Sequence, residues 1–471
     1  MLVGIVSRAV PWLALLVCLC AIAYEAGSGP IKQGGATLGI VCAWAIVLLK
    51  LRQIKAFALI SSFVFGGLGL WCLWQFAPKG EQLPALFQSQ ADTLKYILLY
   101  GSVVWLKVQA LNSRSLNRLS DWVIGQGQAA QRLWFPLLGH WLGAGFNLAG
   151  FGLLSPLVHA QQHKQQQRQN FIAIVRGFSV ATAWSPVFAS IIVILATFPT
   201  LTWFDIAPPS FLLALGLFIL GGLLLGRTGG VTDAFRSTCA DTADTIDIDN
   251  QANASMVIKL AFPKTSLFIL VLLFVSLFAF AQMATVRVTL ALGVVAPVFA
   301  LAWLFTPDSL NRSIRRHLSE GMTGLGALHA EILVFAMANL LATGIGILVA
   351  TGTLWVPDPD FYWMNWLGLA AAYFLIMSLG IHPLVIVLVA VNVMPAAALG
   401  VSTLTYAVLI LGLWTSSTIG SPMSANNLMF SRQLGVPVWR LAWVWNMPAA
   451  LLNFTTTVVL GLVLQQIARL G

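Results

Sequence analysis

The chain is 471 residues long, 59% hydrophobic and only 8% charged, against about 25% charged in ordinary soluble domains. Apolar runs of membrane-spanning length recur from end to end, which excludes a soluble domain, and their continuity without alternation excludes a β-barrel. The net charge is +10, but the basic residues sit in short loops and not in one patch, the pattern of the positive-inside rule rather than of a nucleic-acid surface. Of the cysteines, Cys18, Cys20, Cys42 and Cys72 lie in apolar runs and Cys239 in a polar loop. Their spacing suits neither a metal site nor a disulfide framework.

In chain order, the first apolar run (residues 9–24) follows Arg8 and lacks a small-x-small cleavage site. A retained first helix with a cytoplasmic N-terminus is expected. Helix 2 (35–49) returns to Lys50, Arg52 and Lys55, helix 3 (56–74) leads outward, and helix 4 (96–110) returns to Arg114, Arg118 and Arg132. The run 133–160 breaks this alternation, because Arg132 precedes it and Lys164, Arg168 and Arg176 follow it. Its centre, Gly143-Ala-Gly-Phe-Asn-Leu-Ala-Gly-Phe-Gly152, is a poor helix interior and a good turn. A re-entrant hairpin with Asn147 near its tip is favoured over one long spanning helix. Helix 5 (171–197) crosses outward and helix 6 (210–225) returns. The segment 227–264, with Asp241, Asp244, Asp247 and Asp249, reads as a solvated linker and not a calcium loop.

Helices 7 (266–281) and 8 (288–305) precede a basic stretch, 308–322, in which Leu310, Ile314 and Leu318 share one face. That pattern predicts a helix lying on the membrane surface. Helix 9 (325–350) leads outside to a second hairpin (362–399) with its turn at Ser378-Leu-Gly-Ile-His-Pro383. Helices 10 (403–431) and 11 (441–467) complete the chain.

Helices 5 and 10 are expected to be broken. Thr182-Ala-Trp-Ser-Pro186 and Thr418-Ile-Gly-Ser-Pro422 share the pattern T-x-x-S-P, with alanine three residues beyond each proline, at a separation of 236 (418 − 182). Proline deep in an apolar run leaves backbone carbonyls that hydrocarbon cannot satisfy, so the interruption must be buried in protein or line a polar cavity. The same shift carries helix 2 onto helix 7, helix 4 onto helix 9, helix 6 onto helix 11 and Asn147 onto Pro383. Helices 4 and 9 run in opposite directions in this topology. The fold expected is therefore an all-α polytopic membrane protein of about eleven transmembrane helices in two inverted repeats, each with a re-entrant hairpin and a broken helix, and a binding site between the repeats.

This pattern resembles the ion transporter superfamily, and most closely the divalent anion/sodium symporter (dicarboxylate transporter) architecture, over nearly the whole chain at the level of topology. Those proteins are similar in having an inside hairpin before broken helix 5 and an outside hairpin before broken helix 10, with Ser-Asn-Thr at the tips. Here the first tip keeps only Asn147 and the second has Gly380-Ile-His-Pro383, while Thr182, Ser185, Thr418 and Ser421 stand beside the prolines. The resemblance implies scaffold helices at 1–132 and 265–361, a linker at 227–264, and transport-domain halves at 133–226 and 362–471. It also implies an elevator motion, a homodimer, and a multi-pass protein of a bacterial inner membrane.

Broken helices oppose half-helix ends. N-terminal ends offer N–H groups to an anion, and unwound carbonyls suit sodium. At the same depth lie Ser179, Thr182, Ser185, Thr415, Ser416, Ser417, Thr418, Ser421, Ser424, Asn426 and Asn427. The candidate substrate and ion site comprises Asn147, Thr182, Ser185, His382, Ser417, Thr418, Ser421 and Asn426, with Asn147, Thr182 and Thr418 as candidate sodium ligands. Small polar residues also pack membrane helices together, but the accompanying prolines favour a site. His382, at a hairpin tip, is suited to carrying a proton, to binding an anion through its ring N–H, or to bonding a loop carbonyl. Glu331 lies inside a span, where a charge needs a partner or a proton; pairing with His329 is expected, with proton carriage as the other role. Arg176 opens helix 5 as a topology anchor or an attractor of anions. His140 and Lys107 carry no sharper expectation.

The function expected is a secondary active transporter, a symporter of a small organic anion such as a di- or tricarboxylate, coupled to a sodium or proton gradient. The chain has no ATP-binding loop, and no enzymatic role or cofactor beyond the coupling ion is expected. A cation/proton antiporter would place a carboxylate at the breaks, where this chain has none. A membrane subunit served by a separate binding protein is a further alternative. An enzyme acting on lipid-linked sugars would want a sizeable external loop or an intramembrane catalytic cluster, and a channel fits paired breaks less well.

Overall fold

The computed structural model describes residues 2–159, 164–225, 262–354 and 357–470, and its regular elements are helices, joined by one isolated β-bridge. The first half contains α1 (Leu2–Ala26), α2 (Gly29–Lys50), α3 (Ala56–Phe76), α4 (Gln82–Leu111) and α5 (Arg114–Ile124). It continues with the hairpin α6 (Gln128–Phe146) and α7 (Leu148–His159), the two pieces α8 (Lys164–Ala181) and α9 (Ala189–Thr197), and α10 (Trp203–Leu225). The second half contains α11 (Lys264–Met283), α12 (Val288–Leu304), α13 (Ile314–Gly326) and α14 (His329–Ala350). A second hairpin, α15 (Tyr362–Ser378) and α16 (Pro383–Val393), is followed by α17 (Thr403–Gly420), α18 (Ala425–Leu434), a π-helical turn Arg440–Asn446 and α19 (Met447–Leu470). Among the described residues, ten segments are long and apolar enough to cross a membrane. The chain is an all-α polytopic membrane protein. Cys239 and the aspartates of the linker lie outside the described residues.

Both hairpins and both breaks form where the glycines and prolines predict them. The inverted repeat is visible in how the halves exchange partners. Helix α3 packs along α14, and its counterpart α12 packs along α4. At the centre, α4 and α14 cross antiparallel: Asn339 Nδ2 donates to Thr93 Oγ1 (3.0 Å), while Tyr100, further along α4, meets Phe335, earlier on α14, at 5.1 Å between rings. The hairpin arm α7 packs on α18, and its counterpart α16 packs on α9. The backbones of α3 and α14 touch at Gly69 and Gly344, where an added Cβ would lie 2.4 Å from the Leu340 carbonyl and 2.6 Å from the Gly69 carbonyl respectively. Such close approach is how membrane helices gain contact without a hydrophobic driving force.

Several elements differ from expectation in extent, α4 and α5 among them. Helix α4 starts at Gln82, well before the apolar run from residue 96, because its early polar side chains satisfy one another. Lys95 Nζ lies 2.6 Å from Asp92, Tyr24 donates to Asp92 (3.3 Å), and Gln88 donates to Tyr24 (2.9 Å). Helix α5 has no apolar run at all. It buries Leu116, Leu119 and Val123 at helical spacing beneath Arg114 and Asp121, an amphipathic pattern too short for a hydropathy search to catch.

Helix α5 is tied to the second half by Asp308. The expected surface helix begins at Ile314, capped by Ser313, which leaves Asp308 in the loop before it. There its carboxylate accepts from Ser115 N (2.8 Å), Ser113 Oγ (2.5 Å) and Trp303 Nε1 (3.0 Å). An Asp308→Ala variant removes the acceptor of three donors at once, of which only Ser113 Oγ has another neighbour, Ser115 Oγ at 3.2 Å, and is expected to lose about 2–3 kcal/mol of stability, read as a lower melting temperature in detergent. A melting curve superimposing on wild type would show that the clamp is idle.

Candidate functional site

The first break spans residues 182–188, where Pro186 cannot donate to the carbonyl of Thr182. Ser190 replaces that donor: its Oγ bonds the Thr182 carbonyl at 2.5 Å. The Trp184 carbonyl accepts from Trp203 Nε1 at 2.9 Å, and the Val187 carbonyl accepts from Asn147 Nδ2 at 2.8 Å. Asn147 thus joins the tip of the first hairpin to the break, and its Oδ1 accepts from Leu148 N (2.7 Å). These bonds hold Asn147 at φ +52°, a backbone region that a side chain disfavours. Ser185 Oγ reaches back to the Ala144 carbonyl (2.6 Å), and Thr182 Oγ1 donates to the Ser179 carbonyl (2.6 Å).

The second break is shorter, residues 421–424. Asn427 spans it, donating from Nδ2 to the carbonyls of Ile419 (3.0 Å) and Ser421 (2.9 Å), while its Oδ1 accepts from Asn446 (3.2 Å). Thr415, Ser416, Ser417 and Thr418 each donate to a carbonyl three or four residues back in α17, which satisfies the hydroxyl proton and leaves oxygen lone pairs free. Tyr373 of the second hairpin lies 3.2 Å from Ser417. At the tip, Gly380 (φ +88°) packs so closely on Met423 that a Cβ would come within 2.8 Å of its Cγ.

The structure therefore brings the predicted residues together as two groups. Asn147, Thr182 and Ser185 share the first break; Ser417, Thr418, Ser421 and Asn426 share the second. Among the described residues no side-chain hydrogen bond joins one group to the other. Aromatic contacts do: Phe430 of α18 lies 4.6 Å from Phe151 of the first hairpin and 4.5 Å from Phe171 of α8.

The two breaks also differ at one corresponding position. Position 190 maps by the 236 shift onto Asn426. Ser190 closes its break, whereas Asn426 Nδ2, on a residue only 1% exposed, has no partner. Ser179 Oγ and Asn446 Oδ1 are likewise buried without partners. Asn446 was not anticipated, and neither was Ser210, its counterpart under the same shift, whose buried Oγ also lacks a partner. The signal available was a polar residue at corresponding places in helices 6 and 11. The π-helical turn ending at Asn446 is a local register change of the kind that gathers at functional sites.

The remaining candidates separate. His382 serves as the N-cap of α16, its Nδ1 accepting from Leu384 N at 3.2 Å, a bond to a backbone N–H in place of a loop carbonyl. Glu331 makes no pair with His329, whose Nδ1 faces the Gly326 carbonyl (3.4 Å) while Glu331 Oε2 is buried and unpartnered. Two residues apart on a helix, the side chains point about 200° apart, which forbids the expected pair. His140 is a structural post: it lies 3.3 Å from the Gly177 carbonyl through Nδ1, and its Nε2 accepts from Trp184 (3.3 Å). Lys107 is exposed near the end of α4. Arg176 does not open its helix, because α8 begins at Lys164. It sits in the last third of α8, three residues before Ser179, with Nε buried and no hydrogen bond or ion pair among the described residues.

Chemically, the second break offers a buried amide donor, free hydroxyl lone pairs and unwound carbonyls, and in the first half α8 carries a guanidinium whose buried Nε is unpartnered. The donors suit an anion and the oxygens suit a small cation. Among the described residues no group of three or more His, Cys, Asp or Glu side chains is arranged to hold a metal ion.

No family model and no curated protein matches the chain. Among solved structures, it is similar to the YdaH transporter of Alcanivorax borkumensis, at 14% identity over 84% of this chain and 97% of that one, with a TM-score of 0.48.

Proposed function

We propose that the protein is a secondary active transporter that moves a small organic anion, of the di- or tricarboxylate class, using a sodium or proton gradient. The observation that carries this reading is Asn426 Nδ2, a buried donor left without an acceptor at the break of helix 10 while its counterpart Ser190 is bonded. Leaving such a donor unpaired costs about 1–3 kcal/mol, a cost that a bound carboxylate oxygen removes. Arg176 supports the same sign of ligand, since its Nε is equally unpaired and neither break carries an acidic residue. The absence of a carboxylate from residues 182–188 and 421–424 speaks against a cation antiporter. Hydroxyls of Thr182 and Thr418, already donating to carbonyls, retain lone pairs for sodium. Two hairpins and two breaks in inverted repeats suit alternating access, and an elevator movement of the hairpin and broken-helix elements against the other helices, in a homodimer, is the form of it proposed.

The test is thermal stabilisation of the purified protein by a panel of carboxylates and inorganic anions, each with and without sodium. One anion is expected to raise the melting temperature by mass action, and sodium is expected to lower the concentration needed. Asn426→Leu and Arg176→Gln should each weaken that response by about tenfold or more, the loss of one or two charge-assisted bonds. The reading is overturned if no anion stabilises folded wild-type protein, or if both variants respond as wild type does.

A further inference from the structure

We infer that a cavity at the basic end of the bundle binds the phosphate of an anionic lipid headgroup. The cavity, about 250 Å³, lies between the end of α2, the third turn of α1 and the turn joining α13 to α14. Lys50, Gln53, Thr323 and His329 form its polar wall, and Val10 and Pro11 its apolar one. Among the described residues no carboxylate lines it.

The wall favours an anion. Lys50 is half-buried and makes no ion pair among the described residues. His329 keeps Nε2 free, because its contact with the Gly326 carbonyl uses Nδ1. The acidic side chains of α13 and α14 are otherwise disposed: Glu331 lies about 200° round α14 from His329, and Glu320 is paired with Arg316 at 2.6 Å. Helix α14 begins at His329 and its N-cap, Leu328, contributes no side-chain bond, so first-turn N–H groups at the cavity lack intrahelical acceptors.

Its surroundings favour a lipid over a free ion. Helix α13, which supplies Thr323, exposes Ile314 and Leu318 (45% and 46%) beside the exposed Arg315 and Arg316. Only a helix lying in the headgroup layer satisfies both kinds of side chain. Arg52 and Lys55 are exposed at the same end, the end that the positive-inside rule assigns to the leaflet richest in anionic lipid. A basic wall against an apolar one matches a glycerophosphate, which carries charge and hydrocarbon together.

The test titrates the full-length protein in neutral detergent with phosphatidylglycerol, phosphatidylcholine or inorganic phosphate, following melting temperature and bound lipid by native mass spectrometry. Variants are Lys50→Ala, Gln53→Ala, and Arg52→Ala as a control that keeps the cavity wall intact. Phosphatidylglycerol should stabilise wild type and Arg52→Ala alike, and Lys50→Ala should need about fivefold more lipid, the worth of one lysine near an anionic headgroup. Gln53→Ala should weaken binding without changing net charge, which keeps the test decisive if Lys50→Ala folds poorly. Equal effects of phosphatidylcholine, or equal losses in Lys50→Ala and Arg52→Ala, would overturn the assignment in favour of nonspecific lipid or diffuse surface charge. Stabilisation by inorganic phosphate alone would overturn the lipid in favour of a soluble anion.

Discussion

An Asn427→Leu variant is expected to be among the most damaging single changes outside the helix contacts, costing about 2–6 kcal/mol. Leucine matches asparagine in shape but can neither donate to the Ile419 and Ser421 carbonyls nor accept from Asn446, all of which are buried with it. The Ile419 carbonyl and the Asn446 amide lose their partner, while the Ser421 carbonyl keeps Ser424 N (3.1 Å); each orphaned group costs about 1–3 kcal/mol, and hydrocarbon surroundings supply no water to make up the loss. The measurement is the melting temperature of the variant in detergent, with monodispersity as a check. Asn446→Leu breaks only one of those bonds and should fall between the variant and wild type. If Asn427→Leu melts within a degree of wild type, the second break is not held by this network.

Gly177→Ala is expected to be damaging through packing alone. A Cβ there would lie 1.8 Å from the Pro136 carbonyl oxygen, a backbone atom that cannot swing aside. Helix α8 would have to move off the first hairpin, disturbing His140, whose Nδ1 faces the Gly177 carbonyl and whose Nε2 holds Trp184. Overpacking of this kind costs about 1–3 kcal/mol and occasionally more, and the contact here is with rigid backbone on both sides. Gly216→Ala in α10 provides the contrast, since nothing lies within 4 Å of its added Cβ. There alanine should be neutral or stabilising by about 1 kcal/mol, the helix preference of alanine over glycine. Similar melting temperatures for the two variants would mean that the hairpin and α8 are less closely packed than 1.8 Å implies.

Much of the candidate site was legible because its marks are local. Proline has no N–H, so Pro186 and Pro422 announce breaks whatever surrounds them. A glycine-rich stretch centred on Asn147 announces a turn, and the shift of 236 residues pairs the two breaks without reference to any contact. What could not be read was which of the neighbouring polar side chains the breaks consume. Ser185, Thr182 and Asn147 close the first break and its hairpin tip, yet Ser190 and Trp203, which complete that closure, were not singled out. At the second break Asn427 carries the closure and Asn426, its immediate neighbour, is left unpartnered. Adjacent residues on one helix, of the same type, have opposite fates because they point about 100° apart.

By itself the sequence determined that this is a membrane protein of long helices, where those helices are interrupted, and that the interruptions repeat. Each follows from properties carried by a few consecutive residues: the length of an apolar run, a missing N–H, a glycine-rich turn. The tertiary structure alone decided the rotation of each helix and the partner of each polar group. In a bilayer the core-facing and lipid-facing sides of a helix are both apolar, so no amphipathic stripe marks the buried face. The bonds that close the site also join residues far apart in the chain, Asn147 with Val187 and Asn427 with Asn446. Only their meeting in space leaves the amide of Asn426 buried and unpaired beside a helix break.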